Sequence, residues 1–189
     1  VNPAAFVKNT AVLRLTDGHL NQNDAAEFLS LLVEHLELTF VKEREREALK
    51  SLLNCRVVTT NTRRCASKHR TETVEDKPYL TLNIAGLSSI EEALEQNFKP
   101  EVRNELDCEA CHPPGSNSSN GGKPARYDAD SLKALDKLPP VLIVQLLRFQ
   151  FDYDTLMPSK LNHRVSFGRD LDVAKFTRDV VVDGKPEAE

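Results

Sequence analysis

The sequence predicts an α+β fold, with helices gathered near its start and strands through the remainder. Two patterns carry this reading. Phe28, Leu29, Leu31, Leu32, Leu36 and Leu38 recur at helical spacing and form a broad apolar stripe. Further on, residues 56–62 (RVVTTNT) are β-branched, and Tyr79, Thr81 and Asn83 alternate with Leu80, Leu82 and Ile84. That period of two marks a strand with one wet face. At 189 residues the chain is long enough for one domain with a real core and too short for two of usual size.

The first helix is expected over about 22–38. Asn23 or Asp24 can cap it, and Glu27 stands at capping-box spacing from Asp24. Residues 41–53 (VKEREREALKSLL) keep a charged helical character. Before these, residues 1–10 read as a lead-in, and Leu13, Leu15 and Leu20 surround a turn at Asp17-Gly18. Residues 70–84 are read as extended, and Gly86 breaks that run. A short helix follows in SSIEEALEQNF, started by Ser88 or Ser89. Glu91 and Glu92 lie in its first turn, where the helix dipole favours acids.

Residues 112–128 are rich in Pro, Gly, Ser and Asn and read as a mobile loop inserted between strands. Val141 to Leu147 is a nearly continuous apolar run, the pattern of a strand covered on both faces. Phe149 and Phe151 then alternate with Gln150 and Asp152, residues 154–159 are expected to turn, and HRVSF (163–167) and VVVDG (180–184) read as later strands.

Composition narrows the function. Lys plus Arg is 25 against 29 for Asp plus Glu, a net charge of −4, so a nucleic-acid partner is not expected. No run of 18 apolar residues crosses a membrane, and no charged segment leads into an apolar secretory signal. The expected setting is intracellular, cytoplasmic or nuclear. Cysteines there are more often metal ligands or redox pairs than disulfides.

Four cysteines are present: Cys55, Cys65, Cys108 and Cys111. Cys108-x-x-Cys111 can place two thiolates around one ion on a tight turn, as tetrahedral zinc requires. Cys65 is the natural third ligand. Lys68 stands where a fourth cysteine would complete a second C-x-x-C, and an ammonium cannot ligate zinc. His69, one position on, can complete a Cys-Cys-Cys-His set. The alternative is that the cysteines are free or packed thiols. Cys55 reads as a buried thiol. A thiol nucleophile needs an activating histidine beside it, and none of His19, His35, His69, His112 and His163 has a context that marks such a dyad.

Taken in order, several segments resemble the ubiquitin-specific protease family of cysteine deubiquitinases. QNDAAEFLSLLVEHLE is similar to the family's Gln-Gln-Asp-Ala-His-Glu-Phe-Leu box and its long helix. Cys65, with the polar residues after it, resembles a first zinc pair, YLTLNI the strand that follows, and SSIEEALEQNF the helix after that. Cys108-Glu-Ala-Cys111 resembles the second zinc pair. LPPVLIVQLLRFQFD and KLNHRVSFGRDLDV resemble two later palm segments. The likeness covers roughly residues 3–175. It departs from the family at Asn23, Ala26, Lys68 and Leu147.

The resemblance implies a papain-like hand of thumb, palm and fingers, with 1–53 as the helical thumb and palm segment, 54–130 as zinc-ribbon-like fingers and 131–189 as palm strands. It implies ubiquitin as partner, with Gln22 and Asp24 lining the channel for the ubiquitin C-terminal tail, and zinc held by Cys65, His69, Cys108 and Cys111. The family's Gly-Asn-x-Cys and Gly-His-Tyr boxes fall outside these residues. The expectation is therefore a segment of a hydrolase that is inactive alone, or a non-catalytic ubiquitin-binding module. Exposed strand faces and edges would call for either a second chain that covers them or poor solubility.

Overall fold

Asp24 opens the first helix. The computed structural model describes residues 24–111, 125–152 and 156–182. Gln22, the turn at 17–18 and most of the 112–128 loop lie outside the described residues. The Asp24 carboxylate accepts from the backbone N–H groups of Ala26 (2.6 Å) and Glu27 (3.2 Å), and α1 follows over Ala25–Thr39. Such a cap contributes about 0.5–2 kcal/mol relative to alanine. α2 spans Glu43–Leu53, β1 Cys55–Arg63, β2 Arg70–Lys77 and β3 Leu80–Asn83. α3 spans Ile90–Phe98, β4 Glu101–Cys108, β5 Ala125–Lys137, β6 Val144–Leu147, β7 Phe149–Asp152 and β8 Met157–Lys160. A 3-10 turn at Ala174–Phe176 leads into the short α4, Arg178–Val181.

The chain divides into two compact units. One comprises the described residues up to Cys55, with Asp76–Thr81 and Leu138–Gln145. Here the expected apolar stripe buries less than its spacing suggests: Val33 is the buried residue of α1, while Leu38 is 75% exposed. α2 is tied to α1 by Lys50–Glu37 at 3.2 Å. Tyr79 accepts a hydrogen bond from Ser30 in α1 (3.4 Å), and the Leu80 N–H donates to the Ile143 carbonyl (2.8 Å). Cys55 is buried, as its apolar surroundings in sequence suggest, and desolvation, then Asp76, pushes its thiol up to about 11.

The other unit comprises Arg56–Glu75, Leu82–Lys137 and the described residues from Leu146. Its framework is a four-stranded sheet in the order β2-β1-β5-β4. β5 is the spine, antiparallel to β1 on one side and β4 on the other. The sequence reading missed β4 altogether and placed residues 125–128 in the loop, whereas they begin β5. Leu82, Ile84, Leu94 and Leu135 are fully buried. Phe98 of α3 stacks on Phe176 with ring centroids 5.1 Å apart.

α3 forms where its signals predict. Ser89 Oγ accepts from the Glu92 N–H (3.1 Å), and Glu92 returns to the N–H and hydroxyl of Ser88 (2.7 and 2.9 Å). These reciprocal bonds satisfy donors that a helix start leaves orphaned. Pro100 disfavours helical backbone at Lys99, so the helix stops at Phe98.

Other expectations change. Val141 to Leu147 is not buried on both faces: the strand begins at Val144 and is half-buried, with Leu147 exposed. β7 forms as expected, but residues 157–159 lie in β8, paired as Phe149↔Lys160 and Phe151↔Pro158, and are not a turn. Residues 163–167 contribute a single bridge, Ser166 to Ser89, where a strand was expected. Val180 and Val181 lie in α4 where their β-branched run had suggested a strand. Among the described residues no helix is long and apolar enough to cross a membrane.

Candidate metal centre

Two turns meet at one end of the four-stranded sheet. The first joins β1 to β2. The Lys68 N–H donates to the Cys65 carbonyl (2.9 Å), and the Arg63 N–H donates to the His69 carbonyl (2.9 Å), closing the loop between the strands. Lys68 takes a positive φ of 48°. This answers the puzzle of the missing cysteine: Lys68 supplies the left-handed step of the turn, and its exposed side chain points away from the ligand role. The chain turns once more, and His69 arrives beside Cys65, its N–H 3.4 Å from Cys65 Sγ.

The second turn follows β4. Cys108 is that strand's last residue, and the Cys111 N–H donates to the Cys108 carbonyl (3.2 Å). β5 holds both turns in place. Its Ala129 pairs with Arg63 in β1 and its Ala125 pairs with Cys108 in β4. The Arg64 N–H also donates to the Asp128 carbonyl (2.8 Å).

The result is a cluster of Cys65, His69, Cys108 and Cys111 whose ligand atoms lie within 4.8 Å of one another. His69 Nδ1 lies 3.6 Å from Cys65 Sγ, 3.4 Å from Cys108 Sγ and 3.3 Å from Cys111 Sγ. A tetrahedral zinc with ordinary Zn–S and Zn–N bonds separates a thiolate from an imidazole nitrogen by about 3.6 Å. The imidazole-to-sulfur spacings therefore fit one tetrahedral ion. Cys65 and Cys108 are buried, and His69 and Cys111 are half-buried.

The electrostatics describe the same problem. The backbone N–H of His69 leads the groups that lower the Cys65 thiol below its ordinary range. Cys111 goes the other way, pushed up to about 11 by desolvation and then by the neighbouring thiols. One thiolate makes the next harder to form, a repulsion that a dication at the centre would relieve. All four cysteines are free of disulfides.

Around the cluster runs a layer of ion pairs and arginine hydrogen bonds. Arg63 Nε donates to the Asp107 carbonyl (2.6 Å), Arg64 pairs with Asp130 (2.6 Å), and Arg126 pairs with Asp107 (3.0 Å). Sequence reasoning also missed Tyr127. Burial, followed by the neighbouring Cys111 thiol, raises its phenol above the ordinary range. Its only sequence signal is its parity with Ala125 on β5, which acquires meaning once Cys108 is known to pair there. Of the expected channel residues, Asp24 sits exposed at the start of α1, in the other unit.

The profile of the family described as ubiquitin carboxyl-terminal hydrolase matches residues 1–187. The chain belongs to this family. The likeness to ubiquitin-specific proteases in the sequence is thus a family relationship. The chain is 30% identical over 185 residues to ubiquitin carboxyl-terminal hydrolase 26 of Oryza sativa subsp. japonica, covering 93% of the chain and 15% of that relative. It is 26% identical over 189 residues to ubiquitin carboxyl-terminal hydrolase 34 of Homo sapiens, covering 98% of the chain and 5% of the relative. The chain thus spans a small part of these relatives. A solved structure of the SAGA Ubp8/Sgf11/Sus1/Sgf73 DUB module bound to ubiquitin aldehyde matches with a TM-score of 0.63 at 20% identity, over 82% of this chain and 33% of that one. The chain therefore has the α+β fold of a ubiquitin-specific protease domain, with a Cys/His cluster suited to a zinc-ribbon-like site.

Proposed function

We propose that this chain forms the ubiquitin-binding middle of a ubiquitin-specific cysteine protease domain. In a polypeptide that also carries the nucleophilic cysteine and its histidine, it serves hydrolysis of the bond after the ubiquitin C-terminal glycine. A thiolate attacks that carbonyl, amide donors hold the oxyanion, and water releases ubiquitin. The observation that carries this reading is the family match across residues 1–187. Residues 1–53 then belong to the thumb and palm, 54–130 to the fingers and 131–189 to the palm. Gln22 and Asp24 line the path of the ubiquitin tail, whose extended backbone needs donors and acceptors on both sides. Cys65, His69, Cys108 and Cys111 hold zinc, which ties the fingertip turns together and takes no part in the chemistry.

Calorimetric titration with ubiquitin tests the binding. Asp24→Asn is the informative variant, because asparagine caps a helix as well as aspartate but lacks its charge. Weaker binding by this variant, with unchanged helix content, supports the channel role. A folded chain that does not bind ubiquitin overturns the reading.

One observation favours a second reading, a non-catalytic ubiquitin-binding module. Among the described residues no cysteine is an activated nucleophile: three share the cluster, and Cys55 is buried with its thiol raised. Turnover of a ubiquitin–fluorophore substrate by the purified chain would exclude this second reading.

A further inference from the structure

We propose that the cleft between α3 and the 174–181 segment docks a short extended peptide that carries an apolar side chain beside a carboxylate. The cleft measures about 620 Å³, within the size range of ligand sites. It lies wholly within the unit that holds the four-stranded sheet. None of its lining residues belongs to the metal centre or to the proposed ubiquitin channel. Phe98 and Phe176, stacked on one another, line it, and Val181 of α4 stands at its side. It is an open groove and not an enclosed cavity. Such a groove accepts a side chain from a passing peptide more readily than it seals a whole small molecule.

The rim sets the chemistry of the ligand. Glu92, Glu95, Gln96 and Lys99 recur at i, i+3, i+4 and i+7, so they form one polar stripe along the cleft. The two acids are already engaged. Glu92 accepts from the Ser88 N–H and hydroxyl (2.7 and 2.9 Å), and Glu95 pairs with Lys175 at 2.6 Å. Lys175 also lies over the Phe176 ring, 5.2 Å from its centroid. Among the described residues the exposed Lys99 has no carboxylate partner, and the exposed Gln96 side chain has no hydrogen-bond partner. The stripe thus leaves an ammonium and an amide unmatched beside an apolar surface. An amide both donates and accepts, as a peptide backbone requires, and an ammonium takes a carboxylate. A basic peptide would instead have to break the Glu95–Lys175 pair or the Ser88 bonds to reach an acid here.

The test uses the whole chain and a short fluorescein-labelled peptide with one phenylalanine followed by two aspartates. Anisotropy gives the affinity, and amide chemical shifts give the place. Two further peptides serve as controls, one with lysines for the aspartates and one with serine for the phenylalanine. The aspartate peptide is expected to bind, with shifts gathered in α3 and residues 174–181, and both control peptides to bind more weakly. Lys99→Glu changes only an exposed side chain. It should weaken the aspartate peptide by about 3–5-fold, the scale of an exposed ion pair, and strengthen the lysine peptide. Absence of binding, shifts elsewhere, equal affinity for the aspartate and lysine peptides, or indifference to Lys99→Glu each overturn the proposal. Sedimentation of the chain alone covers the other occupant: self-association that disappears in Lys99→Glu would assign the cleft to a second copy and overturn the peptide reading.

Discussion

The two ends of the four-stranded sheet are held by different physics. Where β5 approaches α3, the sheet is fixed by burial: Leu135, Leu94 and Ala134 are fully or almost fully buried, and Phe98 stacks on Phe176. At the other end the strands carry Arg63, Arg64, Arg126, Asp107 and Asp130, all engaged in polar contacts at the surface. Apolar burial there is confined to small side chains: Cys65, Cys108 and Ala129. Among the described residues no side chain of leucine size is fully buried at that end, and exposed ion pairs contribute little. The cluster of Cys65, His69, Cys108 and Cys111 lies at that end, and its four donors are close enough to hold a metal there. Under the proposed zinc site, ligation would fix a strand end too polar to bury.

The sharpest way to break this comparison is to remove a ligand. Structural zinc contributes roughly 10–16 kcal/mol to the folding of small zinc-dependent units, so Cys108→Ser should abolish zinc retention. Hydrogen exchange should then rise in the two turns, at 64–69 and 107–111, while α3 stays protected. Equal loss of protection in α3 would mean that the two ends fold as one and that the contrast is false. The complementary change is Leu94→Ala, which opens a cavity in the apolar end. It should cost about 2–5 kcal/mol in denaturant unfolding with zinc content unchanged.

Smaller effects sharpen the picture at α3. Ser89→Ala removes the cap of that helix and should cost about 1 kcal/mol, measured by thermal unfolding at constant zinc. Glu92 supplies the pH dependence. The Ser88 N–H, then its hydroxyl, hold the Glu92 carboxyl below the ordinary carboxylate range. A carboxyl depressed on folding stabilises above its unfolded value, and that contribution is lost as pH falls through the folded one. The stability gap between the unaltered chain and Glu92→Gln should therefore be present at neutral pH and close in acid. A gap that persists at low pH would show that the glutamate acts by packing.

Much of this was legible in residue order alone. Asp24 and Ser89 announce their helices because capping is local: the acceptor and its donors lie within three residues. RVVTTNT and YLTLNI announce strands because their patterns match a half-buried pleat. β4 was silent for the opposite reason. Its residues are exposed except at Leu106 and Cys108, so no alternation records it, and pairing with β5 holds it. Ala125–Asp128 carry no apolar alternation either and become strand through pairing with β4 and the Arg64 N–H bond to the Asp128 carbonyl. Val180 and Val181 show tertiary context overriding β-propensity. Arg178 at the start of α4 pairs with Glu72 and Asp136 (3.0 and 3.4 Å), and Thr177 bridges to Leu135.

For the metal centre the division is sharper. Residue order by itself named the candidate donors: three thiols and an imidazole, with Lys68 excluded because an ammonium has no lone pair to offer. Only the tertiary structure decided that these donors converge. Cys65 and Cys108 are separated by more than forty residues of sequence. Their meeting depends on β5 pairing with β1 and β4 at one register, and a slip of one residue along either ladder would turn the ligands to opposite faces. Ligand chemistry is a property of single side chains; coordination geometry is a property of three strands in register.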